Sequence, residues 1–433
     1  MGMNLQQADP KLLVVGGGGR EHAICWRLRQ DRPHAEIYCA PGNAGTADVA
    51  RTLDIGAGDI DDLVRWARSE RPDIVVVGPE DPLIDGLVDE LQAIGVPAFG
   101  PTRRAAEIEG SKAFSSALVT HLGVPAPVHA TFDDVDAALA YVEDEPDGVV
   151  VKADGPALGK GVIVCGTPEE ADDAIRRMMV EGAFGASGAR VVVQELLHGP
   201  ELSVLALSDG TTFRTVGVAR DYKRIGDGDR GPNTGGVGSY TPVPDAPAAL
   251  LARVEREIIA PVLARMRAEG RPYVGVLFAG LILTAEGPKV IEFNCRMGDP
   301  ETQVILPVLQ GDFVDLIDAA VSGTLDRTET CPPEQAAVAV VLTSKGYPGP
   351  SESGLPIDGL DAIDRGLVFH AGTERQDGAV RTAGGRVLAA VGIADDLGEA
   401  RDEAYALTSS IRFRGAGYRS DIAADALGMA VAS

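Results

Sequence analysis

Near the start of the chain, an apolar run at residues 11–15 passes directly into Gly16, Gly17, Gly18 and Gly19, and then into Arg20, Glu21, His22, Ala23 and Ile24. Four consecutive glycines are too unrestricted to sit inside a helix or strand, so they mark a turn. Strand, glycine turn and helix start in that order are the first unit of a doubly wound parallel sheet. Further strands are expected at 35–40 and 74–77, and the unit is complete near Gly100 and Pro101. In such a sheet ligands gather at the strand ends, which makes Asn43, Thr46 and Glu80 candidate binding residues. The dinucleotide fingerprint needs a third glycine where Glu21 stands, so a nicotinamide cofactor is disfavoured. Two readings of the turn stay open: a phosphate held at the helix N-terminus, or a tight turn serving structure alone.

A second landmark lies at residues 289–302, where Lys-Val-Ile-Glu-Phe-Asn-Cys-Arg is closed by Met-Gly-Asp-Pro-Glu-Thr. The apolar run reads as a buried strand ended by Gly298 and Pro300. Side chains alternate along a strand, so Glu292 and Asn294 share a face. Two adjacent oxygen ligands suit a hard divalent cation that takes its other positions from phosphate and water. Arg296 comes next on that face and offers a planar fork to a carboxylate or phosphate.

Between these landmarks a helical connection opens at Gly110-Ser111-Lys112, and a new α/β unit begins near Pro125. Its first clear strand is 148–154, and residues 155–161 form a glycine-rich loop before a return strand at 162–165. Strands on both sides make this a hairpin, and a flexible hairpin carrying Lys160 suits a lid over a triphosphate. A helix is expected at 168–180 and a strand at 190–197 that ends in Gln194-Glu195-Leu196-Leu197, read as a hinge able to pair with an adenine edge. Residues 221–224 and 231–240 read as one long polar loop; loops of that length are usually functional or disordered, and its glycines, asparagine and threonine favour an ordered binding loop. A helix at 246–268 and a strand at 274–284 follow. After Thr324, strands at 336–343, 369–372 and 385–391 and a helix near 399–410 form a small C-terminal unit.

At 433 residues the chain exceeds what one hydrophobic core serves. A net charge of -25 argues against a nucleic-acid surface, since phosphates would be repelled. No window is apolar and long enough to span a membrane. Cys25, Cys39, Cys165, Cys295 and Cys331 are odd in number and contain no CxxC pair, which points to reduced thiols in a cytoplasmic protein. The start of the chain lacks the features of a signal peptide. Lysine is scarce: of residues 11, 112, 152, 160, 223, 289 and 345, five lie in or beside the glycine-rich loops.

Taken together, Gly-Gly-Arg-Glu-His at 18–22, Pro-Gly-Asn-Ala-Gly-Thr at 41–46, Gly-Ser-Lys-Ala-Phe at 110–114 and Lys-Ala-Asp-Gly at 152–155 resemble the phosphoribosylamine–glycine ligase family. So do Gly-Pro-Asn-Thr-Gly-Gly at 231–236, Glu-Phe-Asn-Cys-Arg at 292–296, Gly-Asp-Pro-Glu-Thr-Gln at 298–303, Gly-Tyr-Pro-Gly at 346–349 and Phe-His-Ala-Gly-Thr at 369–373. The resemblance implies an α/β and α+β chain: a Rossmann-like domain at 1–110, an ATP-grasp domain at 111–325 with a lid at about 125–195, and a C-terminal domain at 326–433. It also implies a ligase of purine biosynthesis that joins glycine to 5-phospho-β-D-ribosylamine with ATP and Mg2+ or Mn2+, through glycyl phosphate. Carried over, Lys112, Lys152, Gly159, Lys160, Glu195, Leu197 and Glu201 bind ATP, and Glu292 and Asn294 hold the metal. The small substrates would meet Gly18, Arg20, Glu21, Asn43, Gly45, Thr46 and Glu80 on the N-terminal side. Asp221, Asn233, Thr234, Gly235, Gly236, Arg296 and Asp299 would meet them on the other, with Arg296, Lys152 and Asp221 in catalytic roles. A monomer is implied, a weak dimer being the alternative. The rival readings are another ATP-grasp carboxylate–amine ligase and an inactive nucleotide-binding module. Pro156, Leu158, Gln194 and Val237 depart from the family pattern, and the strand at 275–281 lacks the carboxylate that related ligases place there.

Overall fold

The computed structural model describes residues 9–155, 161–363 and 365–429. The N-terminal region forms a five-stranded parallel sheet from β1 (Lys11–Gly16), β2 (Glu36–Pro41), β3 (Arg51–Thr52), β4 (Ile74–Val77) and β5 (Ala98–Phe99). Its order, β3-β2-β1-β4-β5, is that of a doubly wound sheet, with β1 central and its apolar residues fully buried. The first helix, Gly19–Asp31, follows the glycine turn directly.

A separate four-stranded sheet contains β6 (His129–Phe132), β7 (Val149–Ala153), β8 (Val162–Cys165) and β9 (Val191–Glu195), in the order β6-β9-β7-β8. β7 and β8 pair antiparallel, as expected for a hairpin. Residues 156–160 at its tip, including Gly159 and Lys160, lie outside the described residues. This sheet has its own hydrophobic core, in which Val149, Val151, Val191 and Val193 pack on Ala138, Val142, Ala171 and Ile175 of two helices. The short edge strand β6 is half exposed and carries no alternation that a sequence reading would detect.

The remaining strands are β10 (Glu201–Asp209), β11 (Phe213–Asp221), β12 (Arg224–Gly226), β13 (Arg230–Asn233), β14 (Gly238–Thr241), β15 (Val274–Thr284), β16 (Gly287–Asn294) and β17 (Ala336–Thr343). They are followed by β18 (Leu367–His370), β19 (Thr373–Gln376), β20 (Ala379–Thr382) and β21 (Arg386–Ala394). Eight of them build one sheet, β16-β15-β10-β11-β14-β17-β21-β18, so the C-terminal strands continue the central sheet through β14. Two small hairpins, β12–β13 and β19–β20, stand apart from it. The long polar loop expected from the sequence is therefore corrected: residues 221–240 hold the end of β11, a hairpin and β14. Its glycines and Pro232 disguised the pairing, because they break the apolar alternation that marks a strand.

The N-terminal sheet shares one core with the central sheet. Arg27, buried in the first helix, donates to the Leu306 and Leu309 carbonyls at 2.8 and 2.9 Å and to Asp31 at 2.9 Å. His22 lies on the same helix and meets β18 edge-on at Phe369, while its Nδ1 accepts the His370 amide at 2.8 Å. His370 in turn shares a 3.1 Å contact with Thr373 Oγ1. Among the described residues no helix is long and apolar enough to cross a membrane.

Burial, reinforced by the neighbouring His370, pushes His22 down to about 3, and burial with Arg375 nearby pushes His370 down to about 4. Both imidazoles are thus neutral in the fold. As pH falls from the ordinary value of 6.5, the unfolded chain gains protons that the fold refuses, costing about 1.4 kcal/mol per pH unit for each imidazole. We expect a His22→Asn variant, which keeps an acceptor for the His370 amide, to be less stable than its parent at about pH 7 and to close that gap at about pH 5. Thermal melts of both proteins across this range check it; a gap independent of pH removes the histidine contribution.

Candidate active site

A cavity of about 590 Å³ opens between the four-stranded sheet and the β16 edge of the central sheet. Its walls bring together Glu80, Lys112, Lys152, Glu195, Leu197, Glu201, Asp221, Asn233, Thr234, Gly235, Glu292, Asn294, Arg296 and Asp299. These residues are up to 219 positions apart in sequence, from Glu80 to Asp299, and only the packing of the sheets makes them neighbours.

At one end of the cavity lie Lys112 and Lys152. Lys152 points from β7 across the gap, where its Nζ donates to the Ile291 carbonyl at 2.7 Å. Lys112 is the first residue of the helix Lys112–Leu122, capped by Ser111. Asp154 ties that helix start to the end of β7, accepting from Ser111 Oγ at 2.9 Å and the Ala113 amide at 2.7 Å. Both lysines are therefore held by the same short segment. Glu195 ends β9, where the expected hinge begins; its amide donates to the Val128 carbonyl at 2.8 Å and its carboxylate accepts the Val128 amide at 3.1 Å.

Glu292 and Asn294 lie on one face of β16, as their spacing requires, with Phe293 buried on the other. On the neighbouring strand Gly280 stands opposite Glu292, and a Cβ there would approach Glu292 Cγ to 2.9 Å. This crowding gives the missing carboxylate of strand 275–281 a physical reason at that position. Lys223 Nζ sits 3.2 Å from Glu292 and 3.1 Å from Glu201. Lys223 first, against the cost of burial, and then Lys152 and Lys112 hold the Glu292 carboxyl down at about 2. An ionised carboxylate beside an amide oxygen is an all-oxygen donor set, which fits a hard divalent ion. Among the described residues no group of three or more His, Cys, Asp or Glu could hold a metal ion. Lys223 falls in the expected polar loop and among the scarce lysines but was not a candidate site residue; its charge relation to Glu201 and Glu292 exists only in the fold.

At the other end, Arg296 is gripped by three groups. Its Nε donates to Glu80 at 2.9 Å, and its Nη2 to Glu109 and Asn294, both at 3.2 Å. Burial favours the neutral form of Glu80, but Arg296 and Arg20 outweigh it and bring that carboxyl to about 2. Glu109 also accepts the Cys295 amide at 2.6 Å, so it fixes both the backbone and the side chain of this turn. Sequence reasoning missed Glu109, although it directly precedes the Gly110-Ser111-Lys112 motif. Thr234 Oγ1 donates to the Lys223 carbonyl at 2.8 Å, and the Gly235 amide donates to the Tyr347 hydroxyl at 3.0 Å. Asp299 is bound by Arg386 at 3.0 Å and Gln303 at 2.6 Å. Burial, together with Glu301, Glu201 and Glu292 and against Lys223, pushes the Asp221 carboxyl well up.

Other expected residues lie outside these walls. Glu21 folds back over the glycine turn, accepting the Gly18 amide and Arg20 Nε, both at 2.6 Å. A Cβ at Gly16 or Gly78 would meet that side chain at 2.5 or 2.1 Å, and Gly16 has a φ of +124° besides. The carboxylate fills the space over Gly16 and Gly78 and takes up the Gly18 amide. Arg20 is buried and donates to the Met297 carbonyl at 3.1 Å. Asn43 spends its amide on the Gly17 and His370 carbonyls, and Thr46 accepts the Asn43 amide at 2.6 Å, with Gly45 between them packed under His22. Gly236 turns with a φ of +102° against Pro300.

With this geometry in hand, comparison with known proteins is informative. Residues 10–109, 110–302 and 337–425 match the N domain, the ATP-grasp (A) domain and the C domain of phosphoribosylglycinamide synthetase. The phosphoribosylamine–glycine ligase of Xanthomonas campestris pv. campestris is 47% identical over 417 residues, covering 95% of this chain and 97% of that protein. The crystal structure of phosphoribosylamine–glycine ligase from Thermotoga maritima is similar with a TM-score of 0.83 and 32% identity, covering 95% of this chain and 99% of that one. The biotin carboxylase domain of Hydrogenobacter thermophilus 2-oxoglutarate carboxylase shares the fold at 16% identity, with a TM-score of 0.72 over 94% of this chain and 91% of that one. Full-length identity of this degree, with all three domains in order, establishes that the chain belongs to the phosphoribosylamine–glycine ligase family, built on the ATP-grasp fold.

Proposed function

We propose that this chain joins glycine to 5-phospho-β-D-ribosylamine at the expense of ATP, giving glycinamide ribonucleotide, ADP and phosphate in purine biosynthesis. The observation that carries the reading is one cavity in which two lysines, the carboxylate and amide oxygens of Glu292 and Asn294, and an arginine held by two glutamates converge. Lys112 and Lys152 hold the triphosphate, the hinge around Glu195 and Leu197 receives the adenine, and Glu201 meets the ribose. Glu292 and Asn294 would hold a divalent cation, magnesium or manganese, whose positive charge lowers the barrier to transfer of the terminal phosphoryl group. Arg296, locked by Glu80 and Glu109, presents a fixed cation to the glycine carboxylate. That carboxylate attacks the γ-phosphorus in line, ADP leaves, and glycyl phosphate results. The ribosylamine nitrogen then attacks the acyl carbon, phosphate leaves, and the amide forms. Positioning and charge neutralisation supply the catalysis, and no covalent enzyme intermediate is needed.

The four-stranded sheet is the natural moving part of this scheme. Its core is separate from that of the rest of the molecule, so it can rotate about the hinge without breaking a hydrophobic interior. We read the protein as cytoplasmic, a reading supported by five free thiols, four of them buried, and as a monomer, a weak dimer being the alternative.

Lys152 gives the scheme a pH dependence. Burial, with Lys112 and Lys223 adding and Glu292 and Glu201 opposing, lowers its ammonium to about 8. Below that value the charge needed for a triphosphate is already present; above it, binding must draw a proton from solvent. We expect the affinity for ATP to fall as pH rises through about 8, by up to about tenfold per pH unit, and the slope to vanish in Lys152→Met. Titration calorimetry of both proteins checks this.

The metal pair and the intermediate have their own tests. Glu292→Ala should lower kcat on the order of a hundredfold or more while the melting temperature stays within about 3 °C of the parent. Oxygen-18 placed in the glycine carboxylate should appear in the released phosphate, with ADP and no AMP formed. AMP with pyrophosphate, or unlabelled phosphate, would sink the proposed chemistry.

A further inference from the structure

The hairpin β12–β13 lines the acceptor end of the cavity through Arg224, Asp229 and Asn233, yet it pairs with no other strand. A two-stranded hairpin is marginal by itself, so its position must come from side-chain tethers. Those tethers come from the far end of the chain. Arg419, only 1% exposed, lies over the Tyr222 ring at 4.7 Å. Its guanidinium donates to Asp421 twice, at 2.7 and 2.6 Å, and on the hairpin to Asp229 at 2.6 Å and the Arg224 carbonyl at 3.1 Å. Asp421 accepts the Gly228 amide at 2.9 Å, and Asp227 accepts the Ser420 amide at 2.8 Å. The Tyr222 hydroxyl accepts the Ala423 amide at 2.9 Å and donates to Asp425. Every residue of the hairpin turn, 227–229, is therefore bonded to residues 419–421, and Tyr222 directly precedes Lys223.

We propose that residues 419–425 form a positioning strap for the acceptor side of the active site. Arg419 is its key: it sets the hairpin, and through Tyr222 and Lys223 the side of the cavity that receives glycine and the ribosylamine. This rests on the ligase reading above. Among the described residues the strap makes no hydrogen bond to Asp154, Ile291 or Val128, the partners of Lys112, Lys152 and Glu195, and it reaches the nucleotide side only indirectly, through Lys223 at Glu201 and Glu292. Loss of the strap should therefore separate the two ends of one cavity. Arg386, which donates to the Gly235 carbonyl and to the Asp299 carbonyl at 2.8 Å, holds the following turn independently.

The test uses the full chain with Arg419→Gln, Arg419→Lys and Asp227→Ala, the last removing a tether from a residue outside the cavity wall. Arg224 and Arg230 make the hairpin a substrate for trypsin. In Arg419→Gln and Asp227→Ala we expect cleavage after Arg230 to be at least about fivefold faster well below the melting temperature. We also expect KM for glycine or the ribosylamine to rise about tenfold with ATP affinity within about twofold of the parent. Arg419→Lys, which keeps the charge but not the fork, should fall between. Unchanged cleavage and KM with only a lower melting temperature overturns the proposal, as does ATP affinity falling in step with the acceptor KM. If the parent shows no ligase turnover, the protease arm still decides the strap, so its failure and that of the ligase reading are told apart.

Discussion

Arg296 and its two glutamates hold the site together. A guanidinium drawn largely out of water is costly unless its donors are met by anions. Here the partners come from different parts of the chain: Glu80 follows β4 of the N-terminal sheet, and Glu109 ends the connecting helix Arg103–Gly110. Asn294, on the same face of β16 as Glu292, shares the same guanidinium. The N-terminal domain is thus fastened to the end of β16 by the very charge that, on the proposed reading, the glycine carboxylate would approach.

Charge alternates along the cavity from that point. Arg296 is followed by Glu292, Lys223 and Glu201, with Asp221 and Glu301 behind and Lys152 and Lys112 beyond. Arg296, Glu292, Lys223 and Glu201 each have a neighbour of opposite sign, so little reorganisation is required there when a polyanion and a cation enter. Lys223 would have to share Glu292 with the entering ion, and Glu201 remains to keep the ammonium paired. The overall charge of -25 is compatible with this arrangement, because the lysines and arginines that matter are concentrated at one site.

The positions of most strands were legible because apolar runs such as Ile74–Val77 and Val274–Thr284 are bounded by glycine, proline or polar residues. The shared face of Glu292 and Asn294 was legible for the same reason: the period of a strand is two. Where polar residues and glycines interrupt the pattern, as in β12 and β13, a strand looks like a loop. The edge strand β6 escaped because it is short and partly wet on both faces.

What the chain's own order determined was local: where strands, turns and caps fall, which side chains share a face, and which motifs mark the family. Those properties depend on periodicity and backbone geometry over a few residues. Only the tertiary structure decided that Glu109 and Glu80 bracket Arg296, that Lys223 joins Glu201 to Glu292, and that Glu21 closes the glycine turn. It alone decided, too, that Arg419 is bonded to Asp229, 190 positions earlier. These are pairings of charges drawn partly or wholly out of water, and no local pattern encodes them. A buried charge is stable only opposite its partner, and which partner it meets is set by how the sheets pack.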